Sequence, residues 1–457
     1  MNDDNDMTDL EANPGAIPTE VSPGSRVMLA SEYEASPGVR EALAAVDSKQ
    51  PIILIAGRAG TGKTRLVHHL RDRPGGDKQA VVAPTGVAAL NARAQTIHSF
   101  FQFPFGVIDP RNLKPGRNLG KLFRHMERLV IDEISMVRAD ILDGIDARLR
   151  QNRNSVKPFG GVQVVLVGDF LQLSPVVERN DFPILQGLGY ASPFAFSARV
   201  LADAAVDVIE FEHVYRQEEQ AFIDLLAKIR TGDDIEEAVR QLNERCVGPH
   251  RAGVTPILLT PTRAAADRYN HEGMERIDSP VVVYQATSEG TLGVDGDRLP
   301  VPAQLPLKVG ARVMAVKNDS LKRWVNGSLG TIEAVESKRV MVRFDGDGKT
   351  HPVEPVAWEK IRQDWDEANQ SITATSVAAY TQIPLLPAWS VTVHKAQGLS
   401  LDDVRLDLGR GAFASGQVYV ALSRARTLDG LSLTRPINPS DVKVDPALLD
   451  FTRWLRK

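Results

Sequence analysis

The chain has 457 residues, of which 43% are hydrophobic and 25% are charged, with a formal net charge of −4 and one cysteine, Cys246. This composition is typical of a globular protein with about three domains. It excludes an internal disulfide and argues against a surface coated in nucleic acid. No apolar run reaches the ~18 residues that a membrane-spanning helix needs, so we expect no membrane partner.

The N-terminal region is acidic, because its first 25 residues contain six Asp or Glu and no Lys or Arg. Secretory and organelle-type leaders are basic. The composition therefore predicts a disordered acidic tail over residues 1–26, with no leader of that kind.

Apolar strands alternate with helical stretches over residues 27–205. The predicted strands are 52–57, 80–85, 129–133 and 162–169, and residues 206–211 close the series. Continuous apolar runs in this alternation indicate a parallel sheet that helices cover on both faces. We therefore predict an α/β first lobe over 27–205, with a small insertion at about 99–125.

The same alternation returns in 206–306 and 380–457, which we predict to form a second α/β lobe. Between these segments, residues 307–379 carry short β-rich pieces separated by Asn-Gly and Asp-Gly turns. This pattern predicts a small antiparallel barrel inserted into the second lobe.

GRAGTGKT, residues 57–64, fits G-x-x-x-x-G-K-[ST] between a predicted strand and a predicted helix, as a phosphate-binding loop does. Glycines allow backbone N–H groups to surround a phosphate at the positive end of a helix. Lys63 would reach the β- and γ-phosphate oxygens, and the Thr64 hydroxyl would hold Mg²⁺. A glycine-rich turn that merely precedes a lysine is the alternative. The candidate nucleotide-binding residues are Gly57, Ala59, Gly60, Thr61, Gly62, Lys63, Thr64 and Arg65.

RLVIDEISMV, residues 128–137, places Asp132 and Glu133 at the end of an apolar strand. In a phosphate-loop fold, a carboxylate at that end of a neighbouring strand faces the phosphates. Asp132 would hold Mg²⁺ through water, and Glu133 would orient and deprotonate the attacking water. The alternative is a helix-capping acid beside a surface acid.

Three further polar residues follow or interrupt apolar segments. Gln172, after the strand VLVGD, would sense the γ-phosphate or the water, and a polar loop residue is the alternative. Arg216, in HVYRQ, and Arg424, in the apolar helix VYVALSRA, would close over ATP as arginine fingers, which are worth roughly 10³–10⁵ in rate. Structural salt bridges are the alternative for both arginines.

A phosphate loop alone is compatible with a kinase, a GTPase, an AAA+ motor or a helicase. The rest of the chain resembles the PIF-type (petite integration frequency) DNA helicases of superfamily 1B, which are related to the RecD group. The matching segments occur in the family's order: GRAGTGKT (57–64), APTGVAAL (83–90), TIHSFF (96–101), IDEISMV (131–137), PFGGVQVVLVGDFLQLSPV (158–176), VYRQ (214–217), NGSLGTI (326–332), TVHKAQGLSLD (392–402) and QVYVALSRA (417–425).

The resemblance implies two RecA-like lobes with ATP and Mg²⁺ between them, and an SH3-like barrel inserted in the second lobe. It implies 5′→3′ translocation on single-stranded DNA and unwinding of tailed or forked duplex DNA, with roles in DNA repair, recombination and telomere maintenance. We expect a monomer in solution and, in a bacterium, a nucleoid-associated protein of the cytoplasm. An ATP-switched clamp that binds single-stranded DNA without processive unwinding is the alternative.

The resemblance also assigns residues. Gln397 and Gly398 fall in a segment that couples nucleotide to DNA, and they join the nucleotide-binding set. The catalytic residues that it implies are Lys63, Glu133, Gln172, Arg216 and Arg424.

Two features depart from the family pattern. Ser174 replaces the first proline of GDF-x-QLPPV. The family also reads adenine with a glutamine upstream of the phosphate loop, and residues 28–45 contain none, while Gln50 lies too close to the strand. We therefore do not predict which base the site selects.

Candidate contacts to single-stranded DNA lie in the loops after β-strands of both lobes. Binding of single-stranded DNA needs groups that contact its phosphates and rings on which its bases stack. For His98, a histidine satisfied within the fold is the alternative. The candidate contacts are Pro84, Thr85, Gly86, Thr96, His98, Ser99 and Phe100 in the first lobe and Thr392, His394 and Lys395 in the second. A dense aromatic group, expected mostly in the core, comprises Phe100, Phe101, Phe103 and Phe105.

Residues 111–128 carry six Lys or Arg and one Glu. The stretch has two interpretations, a solvated helix face and a wedge facing duplex DNA. Trp324, before the turn at Asn326, would either contact DNA or fill the barrel.

Overall fold

The computed structural model describes residues 30–73, 75–104, 106–114, 119–202, 204–290 and 299–455. The acidic tail predicted over 1–26 and Phe105 lie outside these ranges. Within them, no helix is both long and apolar enough to cross a lipid bilayer.

Among the described residues, the first lobe is built on a six-stranded parallel sheet in the order β3-β2-β4-β5-β1-β6. Its strands are β1 (Ile52–Gly57), β2 (Gln79–Ala83), β3 (Gln95–Thr96), β4 (Arg128–Ile131), β5 (Gln163–Gly168) and β6 (Asp207–Phe211). The helices around it are α1 (Ala30–Glu34), α2 (Pro37–Asp47), α3 (Lys63–Asp72), α4 (Gly86–Asn91), α5 (Ile97–Phe101), α6 (Gly120–His125), α7 (Ala139–Arg153), α8 (Asp181–Gly187) and α9 (Arg199–Ala202).

Successive residues of the central strands enter separate cores on opposite faces of this sheet. Leu54 and Leu166 belong to one apolar cluster, and Ile55 and Val165 belong to the other. Helices therefore cover both faces, as the continuous apolar runs predict. Because β6 pairs with β1, residues 207–211 complete the first sheet, and the second lobe begins beyond them rather than at 206.

The second lobe has a smaller parallel sheet in the order β18-β7-β19-β20. Its strands are β7 (Ile257–Thr260), β18 (Ser390–Thr392), β19 (Val404–Leu406) and β20 (Leu431–Leu433). Its helices are α10 (Gln220–Thr231), α11 (Ile235–Cys246), α12 (Arg263–Glu275) and α13 (Gln417–Leu422). An apolar cluster joins α10, α11, α13 and this sheet into one core.

Antiparallel strands form the insertion between these parts, over a longer stretch than the predicted 307–379. They are β8 (Val282–Gln285), β9 (Thr287–Gly290), β10 (Gln304–Leu307), β11 (Arg312–Ala315), β12 (Leu329–Val335), β13 (Val340–Phe344), β14 (Thr350–Val353), β15 (Val356–Asp366), β16 (Ser371–Gln382) and β17 (Leu385–Pro387). Trp324 is 5% exposed and lies in the core of the insertion, where its ring stacks on Phe344 at 4.9 Å, so it fills the barrel.

The long hairpin of β15 and β16 reaches from the insertion to the first lobe. The ring of Trp365 stacks on that of His125 with centroids 4.2 Å apart and planes 6° apart. Glu367, beyond the end of β15, forms a 3.0 Å ion pair with Lys121. Part of the basic stretch 111–128 therefore faces this hairpin.

The last helix, α14 (Pro446–Trp454), also packs on the first lobe. The Phe451 ring stacks on Phe196 at 4.3 Å and meets Phe170 edge-on at 5.0 Å. The sequence interpretation placed all of 380–457 in the second lobe, but the apolar face of α14 finds its partners across the boundary.

Candidate functional site

The phosphate loop connects β1 to α3 in a conformation that requires glycine. Gly60 and Gly62 have φ angles of 80° and 84°, which residues with a Cβ rarely adopt. The Lys63 ammonium donates hydrogen bonds to the carbonyl oxygens of Gly57 and Arg58, each at 2.8 Å. Desolvation lowers the pKa of Lys63, although the nearby Asp169 and Glu133 carboxylates oppose this effect. The cation is thus held inside the loop at the start of α3.

The acid pair follows β4, the strand next to β5, and lies beside this loop. Glu133 has φ of 51°, a strained conformation for a residue with a side chain. Its backbone N–H donates to Asp132 Oδ1 at 2.9 Å. Burial and the Glu133 charge raise the pKa of Asp132 to about 7, and burial raises that of Glu133, although Lys63 and Arg424 oppose the latter shift. A carboxylate with a raised pKa is well suited to accept a proton.

The residues around the loop fit Mg²⁺ brought in with a nucleotide. Thr64, in the first turn of α3, offers a hydroxyl, and Asp132, just after β4, offers a carboxylate. In the part of the chain that the structure describes, no group of three or more His, Cys, Asp and Glu side chains could hold a metal ion alone. Mg²⁺ is typically bound by one or two protein oxygens together with substrate phosphates.

Gln172 lies in the loop after β5 and contacts both lobes. Its side-chain amide donates to Asp169 Oδ2 at 3.3 Å, and it is 6% exposed. Its backbone oxygen lies only 2.3 Å from where a Cβ on Gly416, the N-cap of α13, would stand. The sensor candidate is therefore in tight contact with the second lobe.

Arg216 lies directly against the phosphate loop. A Cβ on Gly60 would stand 2.6 Å from the Arg216 Cβ, so only glycine fits there. The guanidinium donates to Ser400 Oγ at 2.8 Å and to the Gly398 and Ser423 carbonyl oxygens at 3.3 Å, all in the second lobe. Burial lowers the pKa of Arg216 to about 10.

Arg424, just after α13, is 1% exposed. Its guanidinium donates to the Val420 and Leu399 carbonyl oxygens, at 2.8 and 3.3 Å, and to Ser423 Oγ at 2.8 Å. Burial lowers the pKa of Arg424 strongly, and Arg216 adds to this effect, while the Glu133 charge opposes it. These hydrogen-bond partners are neutral, so the buried cation would gain from an anion. The structural salt bridge weighed for Arg424 is not among these contacts.

Gln397 connects the second lobe to the acid pair. Its side-chain amide donates to Glu133 Oε2 at 3.2 Å. Gly398 follows with a φ of 84°. The predicted nucleotide-binding residues of both lobes therefore meet at one cleft.

Four residues at this cleft escaped the sequence analysis. Tyr419 accepts a hydrogen bond from the Ala59 N–H at 3.0 Å, which joins α13 to the phosphate loop. Tyr33 donates to the Gly62 carbonyl oxygen at 2.9 Å, and Arg65 lies 4.4 Å from the centre of its ring. Arg230 and Asp169 form a buried ion pair at 2.7 Å. The polar residue within the apolar VYVALSRA helix was a usable signal for Tyr419, but no pattern pointed to Arg230.

The DNA candidates of the first lobe differ in exposure, from Ser99 at the surface to Phe100 in the core. Ser99 is exposed, and Thr85 and Thr96 cap the first turns of α4 and α5 through their hydroxyls. His98 is half-buried with its pKa lowered by burial. Phe100 is only 2% exposed and packs against Phe101 and Phe123, so its selection as a DNA contact is corrected to a core position. Pro84 and Gly86 lie beside Thr85.

One of the DNA candidates of the second lobe, His394, lies beside an exposed ring. Thr392 accepts a hydrogen bond from the backbone N–H of Lys395 at 3.2 Å. The His394 ring lies parallel to that of Phe413, with centroids 6.4 Å apart and planes 13° apart. Phe413 is 58% exposed, and burial lowers the pKa of His394. Phe413 was not among the predicted DNA contacts, although it follows a glycine-rich turn after β19.

Comparisons with known proteins place this site in a family. A sequence profile of the PIF1-like helicases matches residues 37–240. The chain is 36% identical over 420 residues to the ATP-dependent DNA helicase PIF1 of Mus musculus, covering 89% of this chain and 60% of that protein. It is 31% identical over 437 residues to the ATP-dependent DNA helicase Pif1 of Bdellovibrio bacteriovorus, covering 93% of each. The chain thus spans about 60% of the length of the mouse relative.

Crystal structures of Pif1 from Bacteroides sp. share the fold. The complex with ADP-AlF4 superposes with a TM-score of 0.84 at 34% identity, over 92% of this chain and 97% of that one. Bacteroides Pif1 bound to ssDNA superposes with a TM-score of 0.67 at 34% identity, over 92% of this chain and 96% of that one. A structure described as the basis for DNA unwinding at forked dsDNA by two coordinating Pif1 helicases superposes with the same TM-score and identity, over 92% of this chain and 97% of that one. The predicted α/β fold with a parallel-sheet core and added antiparallel sheets is confirmed. This chain belongs to the PIF1-like helicase family.

Proposed function

We propose that this chain is an ATP-dependent DNA helicase that hydrolyses ATP between its lobes, translocates 5′→3′ on single-stranded DNA and unwinds tailed or forked duplexes. The observation that carries this proposal is the convergence of both lobes on the phosphate loop. Arg216 packs on Gly60 from one side, and Gln397 reaches Glu133 from the second lobe. Three findings support it: relatives named ATP-dependent DNA helicases, a structure of Bacteroides Pif1 bound to ssDNA, and a structure of two coordinating Pif1 helicases that concerns unwinding at forked dsDNA.

Different side chains of this site have different roles in the proposed hydrolysis. Lys63 moves from the loop carbonyl oxygens to the β- and γ-phosphate oxygens, whose charge it matches better. Glu133 orients the attacking water and accepts its proton. Thr64 and Asp132 would hold Mg²⁺, which would supply positive charge to offset that of the transferred phosphoryl group.

The two arginines supply the remaining positive charge. Arg424 is fully buried and Arg216 partly so, and both guanidinium groups are bonded to neutral oxygens. The γ-phosphate would replace these weak partners with charge-assisted ones, which favours the transition state most. Because the arginines lie at the junction with the second lobe, hydrolysis then changes how the lobes fit together.

Single-stranded DNA lies across the same face of both lobes in this proposal. Thr85, Thr96 and Ser99 contact phosphates in the first lobe, and Thr392 and Lys395 do so in the second. His394 and Phe413 provide a ring surface on which bases stack without sequence preference. The loop from Thr392 to Gly398 therefore carries both the DNA contacts and the amide that holds Glu133, which links DNA binding to hydrolysis.

Duplexes with single-stranded tails test the proposal. The protein, MgATP and a trap strand are incubated with a 5′-tailed duplex and, separately, with the same duplex carrying a 3′ tail. We expect strand separation of the 5′-tailed substrate only. ATP hydrolysis without separation of either substrate would favour an ATP-switched clamp, and separation of the 3′-tailed substrate alone would reverse the polarity.

A further inference from the structure

A buried ion pair connects the two lobes behind the nucleotide cleft. Asp169 follows β5 of the first lobe, and Arg230 lies in the last turn of α10 in the second. The guanidinium makes three contacts to the carboxylate, at 2.7, 3.2 and 3.2 Å. Asp169 is 2% exposed and Arg230 is 5% exposed. This geometry is that of a forked, desolvated pair rather than a surface salt bridge.

The Asp169 carboxylate also organises the sensor loop. Its Oδ1 accepts the Leu171 N–H at 3.2 Å, and its Oδ2 accepts the Gln172 side-chain amide at 3.3 Å. The Tyr419 hydroxyl approaches Oδ2 at 3.5 Å while accepting the Ala59 N–H at 3.0 Å. One carboxylate is thus shared by the sensor loop and by two helices of the second lobe, and through Tyr419 it reaches the phosphate loop.

Packing stability alone does not account for such a pair. Burying both charges is costly, and an apolar pair of the same volume is often equally stable or more so. Burial alone would raise the pKa of Asp169, but the charge and hydrogen bonds of Arg230, together with the Lys63 charge and the Leu171 N–H, hold that pKa below its usual value. The carboxylate is therefore ionised and is a fixed acceptor for Gln172.

We propose that Arg230 is a positioning residue for ATP hydrolysis, which sets the Gln172 amide through Asp169 and thereby makes the sensor loop respond to the orientation of the second lobe. This inference rests on the proposed function and adds to it a route of coupling between nucleotide and DNA. Arg230 is proposed to contact neither the γ-phosphate nor the attacking water. It acts on the reaction through the Asp169 carboxylate.

Two measurements on the full chain test this role. The first is steady-state ATP hydrolysis with saturating oligo(dT), which separates kcat from the KM for ATP. The second is the affinity for fluorescent oligo(dT), measured with and without ADP-AlF4. The ratio of the two affinities gives the coupling between the sites.

The variants are Arg230→Met, Arg230→Lys and the double change Asp169→Asn with Arg230→Met, which leaves no buried charge unpaired. Arg240→Met is the matched control, because Arg240 forms exposed ion pairs on α11.

We expect kcat to fall by about 10²-fold in Arg230→Met and in the double variant, with little change in KM. A loss of this size is typical when a group in an active site is displaced by about 1 Å. ADP-AlF4 should alter DNA affinity in the unmodified protein by about 5- to 150-fold, and this ratio should fall towards one in both variants. Arg230→Lys should recover part of each effect, and Arg240→Met should change neither.

Retention of kcat and of the affinity ratio in a folded Arg230 variant would overturn the inference. If Arg230→Met does not fold, the double variant and Arg230→Lys decide it by the same criteria. The absence of DNA-stimulated hydrolysis in the unmodified protein is a different result, which would overturn the proposed function itself.

Discussion

At the scale of residues, the motifs of the nucleotide site could be read from the sequence because each has a fixed spacing. GRAGTGKT and the acid pair Asp132-Glu133 need only a strand and a turn to be positioned. Phe100 was misjudged because the sequence around an aromatic residue after a strand does not show whether its ring faces solvent or the core. Arg230 was missed because its partner, Asp169, lies 61 residues away in the chain.

The proposed mechanism depends most on the Glu133 carboxylate, which accepts the proton of the attacking water. Glu133→Gln should leave ATP binding intact and lower kcat by roughly 10²–10⁴-fold, because an amide cannot accept the proton of the attacking water. Single-turnover hydrolysis and a nucleotide-binding titration measure the two effects. Glu127→Gln, an exposed change just before β4, is the control. Unimpaired turnover in Glu133→Gln would refute the assigned role.

The Phe413 ring tests the stacking surface. Phe413→Ala should weaken binding of single-stranded DNA by about 1–3 kcal/mol, the usual value of one base stacked on a ring. Phe413→Trp should retain affinity, since stacking depends on the ring rather than on its identity. Fluorescence anisotropy with oligo(dT) measures both, and Phe182→Ala, which removes an exposed ring from α8, is the control. Equal affinities for Phe413→Ala and the unmodified protein would remove Phe413 from the DNA surface.

At the scale of elements, the β-α alternation predicted the strands of both lobes except the two-residue β3, but their partners depend on contacts distant in sequence. β6 was expected to close the first series of strands although the predicted boundary of the first lobe fell before it, and its pairing with β1 adds it to the first sheet. The hairpin of β15 and β16 was expected within a compact barrel, yet its end packs on α6. A local pattern shows which face of an element is apolar and does not show what covers that face.

The packing of α14 on the first lobe leads to a stability prediction. Phe451→Ala should lower the free energy of unfolding by about 2 kcal/mol, less than for a fully buried ring because Phe451 is half-buried. Urea unfolding followed by circular dichroism measures the change. Arg453→Ala, on the exposed face of the same helix, should stay within about 0.5 kcal/mol of the unmodified protein. An equal loss in both variants would show that the ring stack adds nothing.

At the scale of the whole molecule, the account depends on two lobes that share one nucleotide. The sequence indicated two α/β units and a β-rich insertion, but it could not show that α14 of the second segment packs on the first lobe. Nor could it show how closely the lobes meet. Ala59 bonds to Tyr419 and Gly60 bonds to the backbone of Tyr215, so small shifts between the lobes reach the phosphate loop directly.

The dependence of ATP hydrolysis on DNA length tests most directly whether hydrolysis drives movement along DNA. The rate is measured with saturating oligo(dT) of increasing length, from one binding site upwards. A translocating motor dissociates at the strand end, so longer strands sustain more cycles per binding event. We predict that kcat rises with length before it levels off. A kcat that is already maximal at the shortest strand that binds, and constant thereafter, would contradict translocation.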